Sequence, residues 1–483
     1  MAQQMHGNFI AGEWIEGDDA AENVNPSDLD DTVGLYARAN AAQAKRAIAA
    51  ARAAFPGWAA AGLEQRLEIL DRIGCELIAR KQELGRLLSR EEGKTLAEGV
   101  GEVGRAGQFF RYYAAETLRQ MGDVADSVRP GVEVQVRREP IGVVGIITPW
   151  NFPAAIPAWK IAPALAYGNC VVFKPAELVP ATAWALAEII SRSGLPPGAF
   201  NLVMGKGRDV GETILASPDV DAITFTGSVD TGRHIAARAV ERMARFQLEM
   251  GGKNPLVVLD DADLEIAVES AINGAFFATG QRCTASSRLV VTEGIHGPFV
   301  DAMIRRMKTL NVDHALKAGT QIGPVVDETQ LERNLSYLEI GVEEGAKLAA
   351  GGEILNRETR GYYMAPALFT GGTNDMRIAR EEIFGPIAAV IRVRDYDEAL
   401  ATANDTDFGL TAGIVTTSLK HATHFRRHAQ AGTVMVNLPT AGTDYHVPFG
   451  GRKASSYGPR EQGSTAREFY TVVKTAYVNA GRP

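Results

Sequence analysis

The spacing of hydrophobic residues changes along the chain. Between residues 41 and 118 it is helical. Ala41 to Ala54 form an alanine-rich stretch, and Leu67, Leu70, Ile73, Leu77 and Ile78 mark one face of an amphipathic helix over 64–92. Phe109, Phe110, Tyr112 and Tyr113 lie on a further helix from about Thr95 to Leu118. Val132, Val134 and Val136 then alternate with polar residues, as in a half-solvated antiparallel strand. After Pro140 come short apolar runs divided by helical stretches: Val143 to Ile147, Val171 to Phe173, Ile223 to Phe225 and Leu256 to Leu259. A second set follows at Leu289 to Val291, Ala389 to Ile391, Ile414 to Val415 and Val434 to Val436, and the chain ends in a strand-like run, Thr471 to Val478. Strands covered on both faces read this way, and their alternation with helices predicts two α/β units with parallel sheets. The first is expected to carry a ligand and the second a reactive group. The ribbon near 124–144 and the final strand leave open edges, which a second copy of the chain would cover.

Composition narrows the possibilities. A chain of 483 residues exceeds one core and suggests about two to four packing units. With 46% hydrophobic and 22% charged residues it has no signature of disorder. The formal charge of -8, with no stripe of Lys or Arg, argues against nucleic acid as a partner. The first residues have no basic region followed by an apolar run, and no window is apolar enough to span a bilayer, so neither a secretory leader nor a membrane span is expected. Cys75, Cys170 and Cys283 are too dispersed for a disulfide framework or a CxxC site, and the eight His show no HExxH pattern, so no metal is expected. A reducing, cytoplasmic setting is the expectation.

Several short segments carry chemical meaning. Gly205-Lys206-Gly207-Arg208-Asp209-Val210-Gly211 nearly matches a dinucleotide fingerprint, but it has one extra residue before its last glycine, and a simple turn explains it equally well. Phe225-Thr226-Gly227-Ser228 follows a strand-like run and precedes a helical stretch. There glycine allows close backbone approach, the helix start offers unpaired N–H groups to a phosphate, and Ser228 adds a hydroxyl. Lys174-Pro175-Ala176-Glu177 ends another such run, where open α/β sheets hold ligands. A carboxylate there can accept from ribose hydroxyls; the alternative is a surface Lys–Glu pair. Cys283 stands among small polar residues with Arg282 beside it, and nearby positive charge lowers a thiol pKa. Cys75 and Cys170 read as packing residues. Glu249, in Leu248-Glu249-Met250-Gly251-Gly252-Lys253-Asn254, reads by itself as the end of a helix.

Taken in order, Pro149-Trp150-Asn151-Phe152-Pro153, Trp159-Lys160, Lys174-Pro175-Ala176-Glu177, Phe225-Thr226-Gly227-Ser228, Glu249-Met250-Gly251-Gly252-Lys253, Gly280-Gln281-Arg282-Cys283, Glu382-Ile383-Phe384-Gly385-Pro386 and Pro448-Phe449-Gly450-Gly451 resemble the aldehyde dehydrogenase family over nearly the full chain. The resemblance implies an α/β, aldehyde dehydrogenase-like fold: an NAD(P)-binding domain of 1–123 and 145–250, a catalytic domain of 251–440, and an oligomerisation ribbon and C-terminal strand of 124–144 and 459–483. It implies NAD or NADP as cofactor and a homodimer or homotetramer. Cys283 is then the nucleophile, Glu249 the general base and Asn151 the oxyanion donor, while Lys160 and Glu468 match proton-relay positions. Lys174 and Glu177 resemble adenosine-ribose ligands, Ser228 the pyrophosphate contact, and Glu382 the nicotinamide-ribose ligand with Phe384 nearby. Trp150, Gly207, Phe225, Gly227 and Gly251 fall in the same cofactor motifs. The chemistry is consistent with these roles. A planar aldehyde carbon cannot release hydride until a thiolate has added to it, the resulting O⁻ needs donors, and the thioester left behind needs an activated water.

The substrate side is read from Arg105, Phe152, Trp159, Arg282 and Phe449. Arginine recognises carboxylates by paired hydrogen bonds, so the expected partner is a small aldehyde bearing a carboxylate. Within the family the resemblance is to α-ketoglutarate (2,5-dioxopentanoate) semialdehyde dehydrogenases, with succinate semialdehyde or a broad aldehyde range as alternatives. Arg105 reads equally as a surface residue. Lys453-Ala454-Ser455-Ser456 and Thr443-Asp444-Tyr445-His446 depart from the common family form, which bears on specificity rather than on the chemistry. From other classes, a cofactor-independent cysteine esterase and a catalytically dead homologue remain. Intact Cys283, Glu249 and Asn151 oppose the second.

Overall fold

A computed structural model describes residues 5–17, 19–119 and 121–481. Residues 1–4, part of the stretch read for a leader, and the last two residues of the C-terminal segment lie outside the described residues.

The chain is organised by two large sheets. The first has eight strands in the order Ser456–Tyr457, Arg245–Glu249, Ala222–Thr226, Val143–Ile147, Cys170–Lys174, Phe200–Leu202, Asn8–Ile10 and Glu13–Ile15. Its five central strands are parallel, and antiparallel strands close both edges. The order reverses between Val143–Ile147 and Ala222–Thr226, because the chain builds outward from Val143–Ile147 first to one side and then to the other. A crevice opens beyond the strand ends at such a point, and ligands bind there. The second sheet has seven strands between Pro255 and Val436, parallel except where Lys347–Ala350 meets Ala367–Gly372. A third, antiparallel sheet joins Gly122–Asp126, Val132–Pro140 and Thr471–Asn479.

Burial explains the apolar runs. Val143, Val144, Val171, Val172, Leu256, Val257, Leu289 and Val290 are fully buried, because helices cover both sheet faces. The alternating Val132–Pro140 strand, by contrast, has no fully buried residue.

The structure corrects several readings. Residues 64–92 form two helices, Leu63–Ala79 and Lys81–Glu92. The break falls at Arg80, whose guanidinium pairs with Glu76, Glu83 and Glu188 instead of continuing a helix face. Glu249 ends the strand Arg245–Glu249 rather than a helix; parallel pairing to Ala222–Thr226 overrides the local pattern. Cys75 is exposed beside Asp71, so it is not a packing residue, whereas Cys170 is buried. The five N-terminal strands between Met5 and Arg38 were not anticipated, because they are short or polar and gain their order from pairing. Among the described residues no helix is long and apolar enough to cross a membrane.

Candidate active site

Cys283 lies where two cavities meet. One, of about 300 Å³, is lined by Arg105, Phe109, Phe152, Trp159, Arg282 and Phe449. The other, of about 160 Å³, opens at the reversal point of the first sheet and is lined by Trp150, Asn151, Gly227, Ser228, Gly251, Glu382 and Phe384. All five residues expected on the substrate side thus share one cavity with the thiol, and most of those expected on the cofactor side share the other.

Local backbone geometry holds Cys283 there. The helix Leu264–Phe276 ends in a tight turn in which Ala278, Thr279 and Gly280 all have positive φ, at 50°, 57° and 64°. Left-handed backbone is costly for residues with a side chain. Gly280 tolerates it, and a Cβ there would collide with the Gly385 carbonyl. Beyond the turn, Asn254 Nδ2 donates to the Cys283 carbonyl at 2.8 Å, fixing the loop to the second sheet.

Asn151 follows the strand Val143–Ile147 and is buried. Its Nδ2 donates to the Gln281 carbonyl at 3.0 Å, close to Cys283 in the chain, which uses one of its two amide N–H groups and leaves the other for a ligand. Glu249 is buried and accepts from Ser456 Oγ at 2.6 Å. Burial, and then the nearby Glu461 charge, push its carboxyl well above the ordinary range. Lys160 is fully buried against Glu461 and donates to Thr224 Oγ1 at 2.8 Å. Glu461, and not Glu468, therefore lies against Lys160; Glu468 is at the surface on Arg138 at 2.7 Å. The edge strand that pairs Ser456 with Glu249 brings this C-terminal segment inward.

Arg282 is not among the groups that chiefly set the Cys283 pKa. Its guanidinium turns to Glu98, 3.2 Å away. Loss of water, followed by the charges of Glu382 and Glu249, pushes the thiol up to about 12, against the pull of the Cys283 and Thr284 backbone N–H groups.

On the cofactor side, Glu382 Oε1 accepts from Gly252 N–H at 2.9 Å, and a Cβ on Gly251 would collide with that carboxylate. Phe384, itself at φ 65°, meets Trp150 edge to face. Ser228 caps the helix Val229–Glu241, accepting from Thr231 N–H at 3.3 Å. Phe225 does not line the cavity; it is buried behind Gly227 and Gly232 and supports the loop. Lys174 is buried at the end of its strand, where desolvation lowers its pKa, and Glu177 is exposed and accepts from Gly207 N–H at 3.2 Å. Among the described residues no His, Cys, Asp or Glu cluster could hold a metal.

Sequence reasoning missed Lys94, Glu98, Glu102, Gln330, Arg333, Ser456 and Glu461, although each lines a cavity or touches a site residue. Glu98 had a signal: Thr95-Leu96-Ala97-Glu98 has the spacing of a capping box, and the structure forms one.

The Aldehyde dehydrogenase family profile matches residues 14–476. The chain is 43% identical over 480 residues to the alpha-ketoglutaric semialdehyde dehydrogenase of Bacillus subtilis (strain 168), covering 99% of this chain and 98% of that protein. It is 40% identical to the 2,5-dioxopentanoate dehydrogenase of Saccharolobus solfataricus, covering 97% of this chain and 98% of that one. A crystal structure of betaine aldehyde dehydrogenase from Staphylococcus aureus in complex with NAD+ matches with TM-score 0.96 and 34% identity, over 99% of this chain and 95% of that chain. With this fold and these paired cavities, the chain belongs to the aldehyde dehydrogenase family. It is an NAD(P)-dependent dehydrogenase of aldehydes.

A thiol raised by burial and neighbouring carboxylates is mostly neutral at neutral pH, and its thiolate fraction grows as pH rises. In cofactor-free enzyme, alkylation of the Cys283 peptide by iodoacetamide, read by mass spectrometry, is therefore expected to accelerate from pH 7 to 10 without levelling. A plateau below pH 8 would instead mean a thiolate already formed.

Proposed function

We propose that this enzyme oxidises α-ketoglutarate semialdehyde to α-ketoglutarate. The observation that carries the reading is Arg105. The cavity that opens on Cys283 is lined by three cations, Lys94, Arg105 and Arg282, and two anions, Glu98 and Glu102. Lys94 pairs with Glu102 at 2.7 Å and Arg282 with Glu98 at 3.2 Å. Among the described residues Arg105 has only Asp444 as a charged partner, at 4.0 Å, and stacks its guanidinium on Tyr445. The cavity thus carries one cation in excess, which favours a carboxylate on the far end of the aldehyde. The names of the relatives in Bacillus subtilis and Saccharolobus solfataricus agree with that chemistry. Succinate semialdehyde shares the carboxylate and is the nearest alternative. Betaine aldehyde, named for the Staphylococcus structure, is cationic; the aromatic walls would suit it but the excess Arg105 charge would not.

In this reading the Cys283 thiol gives its proton to solvent water and the Sγ thiolate adds to the aldehyde carbon, whose C=O π pair moves onto oxygen. The oxygen that becomes O⁻ accepts from the free Asn151 N–H and from the Cys283 backbone N–H. Bound in the second cavity, NAD(P) would supply the hydride acceptor for that carbon. The Gly227 and Ser228 loop, Lys174, Glu177, Gly251 and Glu382 would hold it, and Gly227, Ser228, Gly251 and Glu382 together line the second cavity at the reversal point of the first sheet, where such a ligand fits. The carbon is then a thioester on Cys283. Glu249 takes a proton from water, the hydroxide attacks the thioester carbon, the C–S bond breaks, and the acid leaves. Lys160 and Glu461 continue the buried polar row behind Glu249 and are the proposed exit for its proton. A thiol nucleophile must stay reduced, so the proposed setting is the cytoplasm. The unit of residues 1–123 and 145–250 is the proposed cofactor domain and that of 251–440 the proposed catalytic domain. The ribbon sheet, 124–144 with 459–483, exposes Val124, Val473 and Tyr477 and is the proposed contact of a homodimer or homotetramer.

Arg105 is about a third exposed, with a side-chain value of 36%, so its charge is partly screened. Arg105→Ala is therefore expected to lower kcat/KM for α-ketoglutarate semialdehyde by about 10- to 100-fold relative to butanal, the low end for a lost charge pair. An equal loss on both aldehydes would remove Arg105 from the carboxylate site. If betaine aldehyde were the substrate, the same change would raise its kcat/KM.

Glu177 is exposed, and as the proposed adenosine-ribose ligand it would face a 2′-phosphate; like charges a few ångströms apart in water repel by about 1 kcal/mol per unit charge. Glu177→Gln is expected to raise the NADP-to-NAD ratio of kcat/KM by roughly fivefold to thirtyfold. A native enzyme that strongly prefers NADP would contradict this assignment of Glu177.

A further inference from the structure

The helix Leu96–Glu116 grips both halves of the reaction centre with two carboxylates one turn apart. Glu98 is the more remote in role. One of its oxygens, Oε2, accepts from Thr95 N–H at 3.0 Å and Thr95 Oγ1 at 2.9 Å, capping the helix start. The other, Oε1, accepts from Ala278 N–H at 2.9 Å and Arg282 Nη2 at 3.2 Å. Ala278 begins the left-handed turn before Cys283, and Arg282 is its chain neighbour. Glu98 therefore anchors the loop that presents Cys283.

Glu102 does the same for the other loop. Its Oε1 accepts from Ala154 N–H at 2.8 Å and Ala155 N–H at 3.1 Å, where the helix Ala155–Ala166 starts. Its Oε2 accepts from Lys94 Nζ at 2.7 Å, and Lys94 Nζ also donates to the Asn151 carbonyl at 2.6 Å. The Lys94 ammonium lies 3.9 Å from the Phe152 ring centre. Glu102, Lys94 and Asn151 are all buried, where hydrogen bonds are electrostatically stronger than in water.

Two loops from different sheets thus meet at one rigid element. Among the described residues, only the Asn151-to-Gln281 hydrogen bond joins them directly near the thiol. We propose that Glu98 and Glu102 are positioning residues that set the spacing between the Asn151 amide and the Cys283 backbone N–H, and so build the oxyanion hole. This rests on the reading of Asn151 and Cys283 given above. It gives the first turns of this helix a catalytic purpose that capping alone does not require: the Thr95 cap uses only one of the Glu98 oxygens. A misplacement of about 1 Å between reacting groups costs on the order of 10² in rate, so a helix that fixes both loops controls kcat while touching no substrate atom that changes.

The test is a double-mutant cycle on kcat with butanal, which leaves Arg105 out of the comparison. Asn151→Ala is expected to lower kcat by about 10²–10³ and Glu98→Ala by about 10². Because both act on one oxyanion hole, the double variant should be no slower than Asn151→Ala alone. KM and cofactor binding, followed by NADH fluorescence, should stay near their native values. A residue that merely stabilises the fold would give losses that multiply, and that result would overturn the proposal, as would an unchanged kcat in Glu98→Ala. Should Glu98→Ala not fold, Glu98→Gln keeps an acceptor for Ala278 N–H and is expected to show a smaller loss with the same non-additivity. If Asn151→Ala itself leaves kcat unchanged, the oxyanion assignment fails; if Asn151→Ala is slow and Glu98→Ala is not, only the positioning role fails.

Discussion

The structure depends on gathering a half-buried thiol and several carboxylates, one of them fully buried, within one crevice. Cys283, Glu249 and Glu382 all lie at the meeting point of the two sheets, and burial raises the pKa of each. Charges held in such a place need partners, or the groups neutralise. Each carboxylate has found a donor from a different part of the chain: Glu382 the Gly252 N–H, Glu249 the Ser456 hydroxyl. Glu461, whose charge helps to raise Glu249, is itself met by the buried Lys160 ammonium. These bonds tie residues from Lys160 to Glu461 into one interior.

Burial also accounts for how the centre is assembled. A group kept from water gains most from fixed donors and loses most when one is misplaced. The left-handed turn at Ala278, Thr279 and Gly280 is a cost of folding that brings the Cys283 loop to Gly385 and to Glu98. The Asn151 loop is held from the other side by Lys94 and Glu102. A rigid frame around a neutral thiol leaves its activation to proton removal rather than to a standing positive charge, which is why the turn of Arg282 towards Glu98 matters.

Much of this was legible in the sequence. Apolar runs such as Val143 to Ile147 and Leu289 to Val291 gave parallel strands, because a strand covered on both faces has no polar positions to reveal. Ordered motifs gave Cys283, Asn151, Glu382 and the aromatic cavity wall. What stayed hidden depended on tertiary partners. Glu249 looked like a helix end until Ala222–Thr226 paired beside it. Arg282 looked like the activator of the thiol because its neighbour in sequence is Cys283, whereas its neighbour in space is Glu98. Glu461 and Glu468 are both acidic residues of the same segment, and only the backbone pairing of Phe449 with Glu461 turns one inward and leaves the other on Arg138.

The central claim is that carbon from the substrate is joined to Cys283 and released by Glu249. It is tested most directly by trapping the intermediate. Glu249→Gln enzyme mixed with NAD and α-ketoglutarate semialdehyde, quenched in acid within the first turnover and digested, should yield a Cys283 peptide heavier by the acyl group. NADH formed with no adduct on Cys283, or an adduct on Cys75 or Cys170, would contradict the account.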